Sequence, residues 1–181
     1  MLWLSEDQHA VVAAACDRLV PGAAAAGAAD YIDGLLGAFA VDPPRIWAGG
    51  PFSGRHGGED GFSRFLPLGH MEELAWRTRI EGSRGMPERE WNGPVVGLQE
   101  RYLEGLAALG ADFAGLGPEE QDARLEALPE LAALLHEHAC ESTYGDPVYG
   151  GNRDGAGWRD IGFPGDVQPR GWTAVEVTRG G

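Results

Sequence analysis

Apolar residues recur at helical spacing in several blocks of the chain and lose all period in two others. Ser5 followed by Glu6, Asp7 and Gln8 has the form of a capped helix start. The hydroxyl accepts from an orphan backbone N–H, acids sit in the first turn and glutamine occupies the third helical position. Val11, Val12, Ala15, Cys16 and Leu19 then follow a 3.6-residue period until Pro21-Gly22 stops it. The same pattern predicts a second helix over Ala28 to Phe39, with Tyr31, Leu35, Leu36 and Phe39 inward, and a third from about Met71 to Ile80, with Leu74, Ala75 and Trp76 as its apolar side. Pro94 suits a first helical position, so the next helix is expected from Val95 to Leu109, with Leu98, Tyr102, Leu103 and Leu106 on one face. Pro118-Glu119-Glu120 opens a short helix ending near Leu128, and Pro129 opens another to about Ser142 with Leu131, Leu134, Leu135 and His138 aligned.

Two stretches break the pattern. Residues 42–67 read as turns and loop with Trp47, Phe52, Phe62 and Phe65 embedded, and residues 144–165, YGDPVYGGNRDGAGWRDIGFPG, hold seven glycines among large aromatics. Loops this long in a compact domain are usually functional or disordered, and the aromatics argue for order. Beyond them only TAVEVT, residues 173–178, alternates like a strand. The expected fold is therefore mainly α: one domain over residues 1–181, with a helical body at about 5–142, an irregular glycine- and aromatic-rich wrap at 143–181, and little or no sheet.

Composition narrows the function. The 181 residues carry 43% hydrophobic side chains and a formal charge of −14, and all 14 fixed cations are arginine. So acidic a chain, with no basic stripe, would repel nucleic-acid phosphates and anionic membranes. No apolar run approaches the roughly 18 residues of a membrane span. Cys16 and Cys140 lie in different predicted helices and read as free thiols, with a bridge in an oxidising compartment as the alternative.

The search for chemistry yields little. His136, His138 and Cys140 resemble a ligand set, but on a helix only His136 and Cys140, four apart, share a face. A structural zinc would want two further ligands, so these read as ordinary helix residues, with a small independent metal-binding protein or enzyme using His136, His138 or Cys140 as the alternative. Asn152-Arg153-Asp154-Gly155 lacks the oxygen ligands and closing glutamate of a calcium loop. No nucleophile elbow, dinucleotide fingerprint or phosphate loop is present. Ser53 and His56 are three apart in a loop, which proves no pairing. The acids at Glu72-Glu73, Glu119-Glu120 and Glu137 with Glu141 read as solvated helix faces. What remains is an ordered aromatic surface. Tyr149, Trp158, Phe163 and Trp172 are of the types that either close a protein's own core or anchor a partner.

The C-terminal residues Asp146-Pro147, Tyr149-Gly150-Gly151-Asn152, the glycines before Trp158 and Ile161-Gly162-Phe163-Pro164-Gly165 resemble the signature of the gluconate 2-dehydrogenase subunit 3 family. The start agrees, with Asp17-Arg18-Leu19-Val20-Pro21-Gly22-Ala23, Gly27 and Asp30-Tyr31-Ile32-Asp33. The block Gly49 to Arg55, followed by Ala75-Trp76-Arg77, looks like a longer subgroup. The resemblance implies a non-catalytic small subunit that supports folding, stability or export of a large GMC-type flavoprotein. That partner would hold FAD, oxidise a sugar or glycoside (for example at a C3 hydroxyl) and pass electrons to a cytochrome or other acceptor. No cofactor is expected in this chain. Phe52, Arg55, Tyr144, Tyr149, Asn152, Trp158, Phe163 and Trp172 are the expected partner interface. Family members often carry a twin-arginine export signal, whereas this sequence opens at its first helix. The expectation is a cytoplasmic complex, with export alongside the partner as the alternative.

Overall fold

The computed structural model describes residues 1–48 and 65–163. Among these residues there are eight α-helices, joined by short 3₁₀ turns, and no strand; the only extended pairing is an isolated bridge between Ala48 and Phe65. The fold is mainly helical, as the periodicity requires. Residues 173–178, the one strand-like stretch, lie outside the described residues.

Helix α1 (Glu6–Leu19) and helix α7 (Pro129–Tyr144) are the two long elements around which the others pack. The start of α1 is fixed as its residues dictate: Ser5 Oγ accepts from Gln8 N at 3.2 Å, and Gln8 Oε1 accepts from Ser5 N at 3.0 Å. Val11, Val12, Ala15 and Cys16 are buried against α3 (Ala28–Leu36) and α7. From α7 come Leu131, Leu134, Leu135, His138 and Ala139. The chain before α1 is tied down by Asp33 of α3, whose carboxylate accepts from the N–H groups of Leu2, Trp3 and Leu4 at 2.5, 2.8 and 2.7 Å. Burial by itself would raise this carboxyl's pKa, but the three donors hold it below the ordinary aspartate value.

Four local expectations are corrected. The second helix ends at Leu36 rather than Phe39, because Gly37 packs directly on Leu2 and the chain passes into a 3₁₀ turn, Ala38–Ala40. Helix α5 spans Leu98–Leu109, not Val95 onward, and Pro94 is not its first residue. Ser83 accounts for this: its N–H donates to the Val95 carbonyl at 2.9 Å and its Oγ accepts from Val95 N at 3.0 Å, keeping residues 94–97 out of the helix. Gly97 becomes the N-cap. Leu103 faces water, since the buried stripe of α5 is Leu98, Tyr102, Leu106 and Leu109. In α4 (His70–Glu81) the fully buried residue is Ile80, while Ala75 is exposed.

Two short helices escape the periodicity. Helix α2 (Ala23–Ala26) consists of four alanines, and α8 (Ala156–Asp160) lies inside the glycine-rich wrap. Helix α6 (Pro118–Glu126) and α7 begin at their prolines as expected. Cys16 and Cys140 are both free thiols. Burial, with Asp17 adding to it, pushes the Cys16 thiol up to about 12.

Candidate functional site

The wrap leaves α7 at Gly145 and folds back on the last turn of that helix. Two glycines make the return possible: a Cβ on Gly151 would strike the carbonyl of Ser142, and one on Gly157 would strike the carbonyl of Thr143. Between them sits Asn152, fully buried and in the left-handed conformation (φ 43°, ψ 47°) that asparagine tolerates better than most residues. Its amide spans the loop. Nδ2 donates to the Gly145 carbonyl at 2.8 Å and Oδ1 accepts from Gly157 N at 2.9 Å. One side chain thus ties the exit of α7 to the start of α8.

The ring residues of this region divide into two sets. Tyr149 is used internally, its hydroxyl accepting from Ala48 N at 3.1 Å and its ring meeting Phe65 edge-on at 5.7 Å between centroids. Trp158 is half-buried; its indole N–H donates to the Tyr144 carbonyl at 2.8 Å, and Phe163 packs edge-on against it at 5.3 Å. Tyr144, Ile161 and Phe163 face outward, 42%, 61% and 45% exposed. Beside Tyr144 lies an open, largely apolar depression of about 350 Å³ bounded by Tyr31, Cys140 and Tyr149. Tyr31 crosses its edge and donates its hydroxyl to Glu141 at 2.8 Å; burial first, then this carboxylate, raises its pKa.

A polar junction anchors the wrap to the helical body. Asp30 of α3 binds both His9 of α1, at 2.8 Å, and the Arg153 guanidinium from the wrap. Asn152 and Tyr149 therefore hold the fold together, while Tyr144, Trp158 and Phe163 form one side of it. Phe52, Arg55 and Trp172 lie outside the described residues. Ile161 belongs with the outward set; it is part of the Ile161–Gly165 signature but is not among the expected interface residues, since nothing in the sequence shows which way an aliphatic side chain in an irregular loop faces. Trp91, on the connection between α4 and α5, is 91% exposed.

His136, His138 and Cys140 are split by the helix. His136 Nε2 and Cys140 Sγ approach to 3.8 Å on the outer face of α7. His138 points into the body, where its Nδ1 meets the Tyr102 hydroxyl at 2.8 Å and the two rings stack within 8° of parallel. Among the described residues no group of three or more His, Cys, Asp or Glu side chains is placed to hold a metal. No described helix is long and apolar enough to cross a membrane.

Compared with known proteins, the chain matches the family model for gluconate 2-dehydrogenase subunit 3 over residues 6–165. No match was found among curated proteins or among solved structures.

Proposed function

The chain belongs to the gluconate 2-dehydrogenase subunit 3 family, and from that premise we propose that it is the non-catalytic small subunit of an FAD-dependent sugar or glycoside dehydrogenase. Its role is to stabilise the large, GMC-type flavoprotein subunit, which carries the FAD and the oxidation chemistry and hands electrons to a separate acceptor. One observation carries this reading. Tyr144, Ile161 and Phe163 are held in water on a backbone that is tied from inside by Asn152 and by the Trp158 indole. Large apolar side chains fixed in place lose little conformational freedom on docking, which is what makes aromatic anchors effective at interfaces. The apolar depression beside Tyr144 offers a matching recess for a side chain of the partner.

The test is co-expression with the flavoprotein subunit. The expected result is a complex that co-elutes on size exclusion, with flavin absorbance in the large subunit and none in this chain purified alone. Tyr144→Ala with Phe163→Ala should lower complex recovery at least tenfold while the free subunit stays folded. If the isolated chain oxidised sugars with a dye acceptor as fast as the complex does, the proposal would be wrong.

A further inference from the structure

The depression beside Tyr144 is apolar over most of its surface and acidic in its charge. Tyr31 of α3, Cys140 and Tyr144 of α7 and Tyr149 of the wrap line it, together with Glu141 and Asp146. Among the described residues these two carboxylates are its charged lining groups, and no cation lines it. All six side chains can be reached from solvent: Glu141 and Tyr144 are exposed and the other four are half-buried. Glu141 accepts from the Tyr31 hydroxyl at 2.8 Å and Asp146 from Val148 N at 2.9 Å, but among the described residues neither forms an ion pair. Elsewhere on the surface acid and arginine meet directly, as Asp122 does with Arg18 and Asp112 with Arg124. Arg79, whose charge is felt at Tyr31, lines a different cleft, between α4, α5 and α7.

A partner that covers Tyr144 covers Glu141 with it, because the two lie three positions apart on one side of α7. An apolar side chain in the depression would strip water from the carboxylates and return no donor, leaving buried charge without compensation. A cation removes that cost, and the faces of tyrosine rings attract cations as well. A guanidinium fits better than an ammonium. It is flat, gives up its water more readily, and donates to a carboxylate while its face lies against a ring.

From the three tyrosines, the two unpaired carboxylates and the apolar surface between them, we infer that this depression receives an arginine side chain of the flavoprotein subunit. The guanidinium donates to Glu141, Asp146 adds its charge, and the stem lies against Tyr144. The inference rests on the reading that the Tyr144–Phe163 side docks that subunit, and it adds what the recess selects. The chain's formal charge of −14 suits it to a face that presents arginine.

Cys140 supplies the readout. It is a free, half-buried thiol in the depression, whereas Cys16 is fully buried, so alkylation of the native chain by iodoacetamide reports on Cys140; Cys140→Ser is the blank. The probes are the N-acetyl methylamides of arginine, lysine and norleucine. The arginine compound should slow alkylation saturably, with at least threefold higher affinity than the lysine compound, and norleucine should give no protection. Glu141→Gln keeps an acceptor for Tyr31 and should weaken the arginine compound at least fivefold; Tyr144→Leu, which keeps apolar bulk and loses the ring, should do the same. In the co-expressed complex, Glu141→Gln should weaken affinity for the flavoprotein subunit at least tenfold and flatten its dependence on salt. The inference is overturned if norleucine or lysine protects as well as arginine, if none protects, or if the complex holds Glu141→Gln as tightly as the wild type. Those results would leave the docking reading standing if Tyr144→Ala with Phe163→Ala still lowers recovery. A wild-type chain that forms no complex would end both.

Discussion

The α1–α7 body and the wrap that follows α7 reach order by different means. In the body, residues such as Val12, Ile32 and Leu135 are fully buried and stability comes from apolar area removed from water. Among the described residues of the wrap, none of the large apolar side chains is fully buried; the segment is held by one asparagine, two glycines pressed on α7 carbonyls and an arginine reaching Asp30. Loss of a core side chain is spread over many neighbours. Loss of Asn152 undoes the wrap at one point. A region stabilised in this second way can leave Tyr144 and Phe163 on the surface, because Asn152, the two glycines, Tyr149 and the Trp158 indole supply its order.

The comparison is broken most severely from the body side. Leu135→Ala should cost about 3 kcal/mol of global stability by denaturant titration, through lost burial and the cavity left behind. A loss below 1 kcal/mol would mean that the α1–α7 contact is not the main support.

Acid acts on the body next. Burial holds the His138 pKa down to about 4, with Arg79 and Arg101 acting in the same direction and Glu137 opposing them. The unfolded chain has the ordinary value of 6.5, so below it the unfolded state binds a proton that the folded state refuses. The stabilisation is complete above pH 6.5 and is lost as pH falls towards 4, about 3 kcal/mol across the window. The stability difference between wild type and His138→Gln should therefore shrink on going from pH 7.5 to 4.5. A difference that stays constant would show that His138 is not held neutral.

On the wrap side, Asn152→Ala removes both hydrogen bonds of the clasp and should cost about 2 kcal/mol. That loss should be local. Residues 145–163 should become sensitive to proteolysis while the denaturant transition of the body moves little; joint unfolding of both regions would erase the distinction drawn between them. The smallest expected effect comes from Ile161→Ser, within about 0.5 kcal/mol in the free subunit, as for an exposed position. In the proposed complex with a flavoprotein subunit the same change should be felt, measured as faster dissociation.

The two regions also differ in how far they can be read from sequence. Helices α1 and α7 announce themselves by capping residues, helix-starting prolines and spaced apolar residues. Helix α2 is invisible to that reading because Ala23–Ala26 offers no contrast between faces. The start of α5 was displaced by Ser83, a residue twelve positions away from the backbone it captures. In the wrap, the residue types were legible and their facing was not. Asn152 and Tyr149 turn inward, Tyr144 and Phe163 turn outward, and only the fold-back onto α7 decides which. The recess beside Tyr144 draws on α3, α7 and the wrap together, so no local pattern could have announced it.

Trp91 has a practical consequence. A tryptophan 91% open to solvent emits at the red end of the indole range, whereas Trp3, Trp76 and Trp158 are all partly shielded. The difference in emission between wild type and Trp91→Phe isolates that one fluorophore. Any molecule that settles on the connection between α4 and α5 would shift its emission to the blue, so the subunit carries its own unlabelled reporter for contacts at that edge.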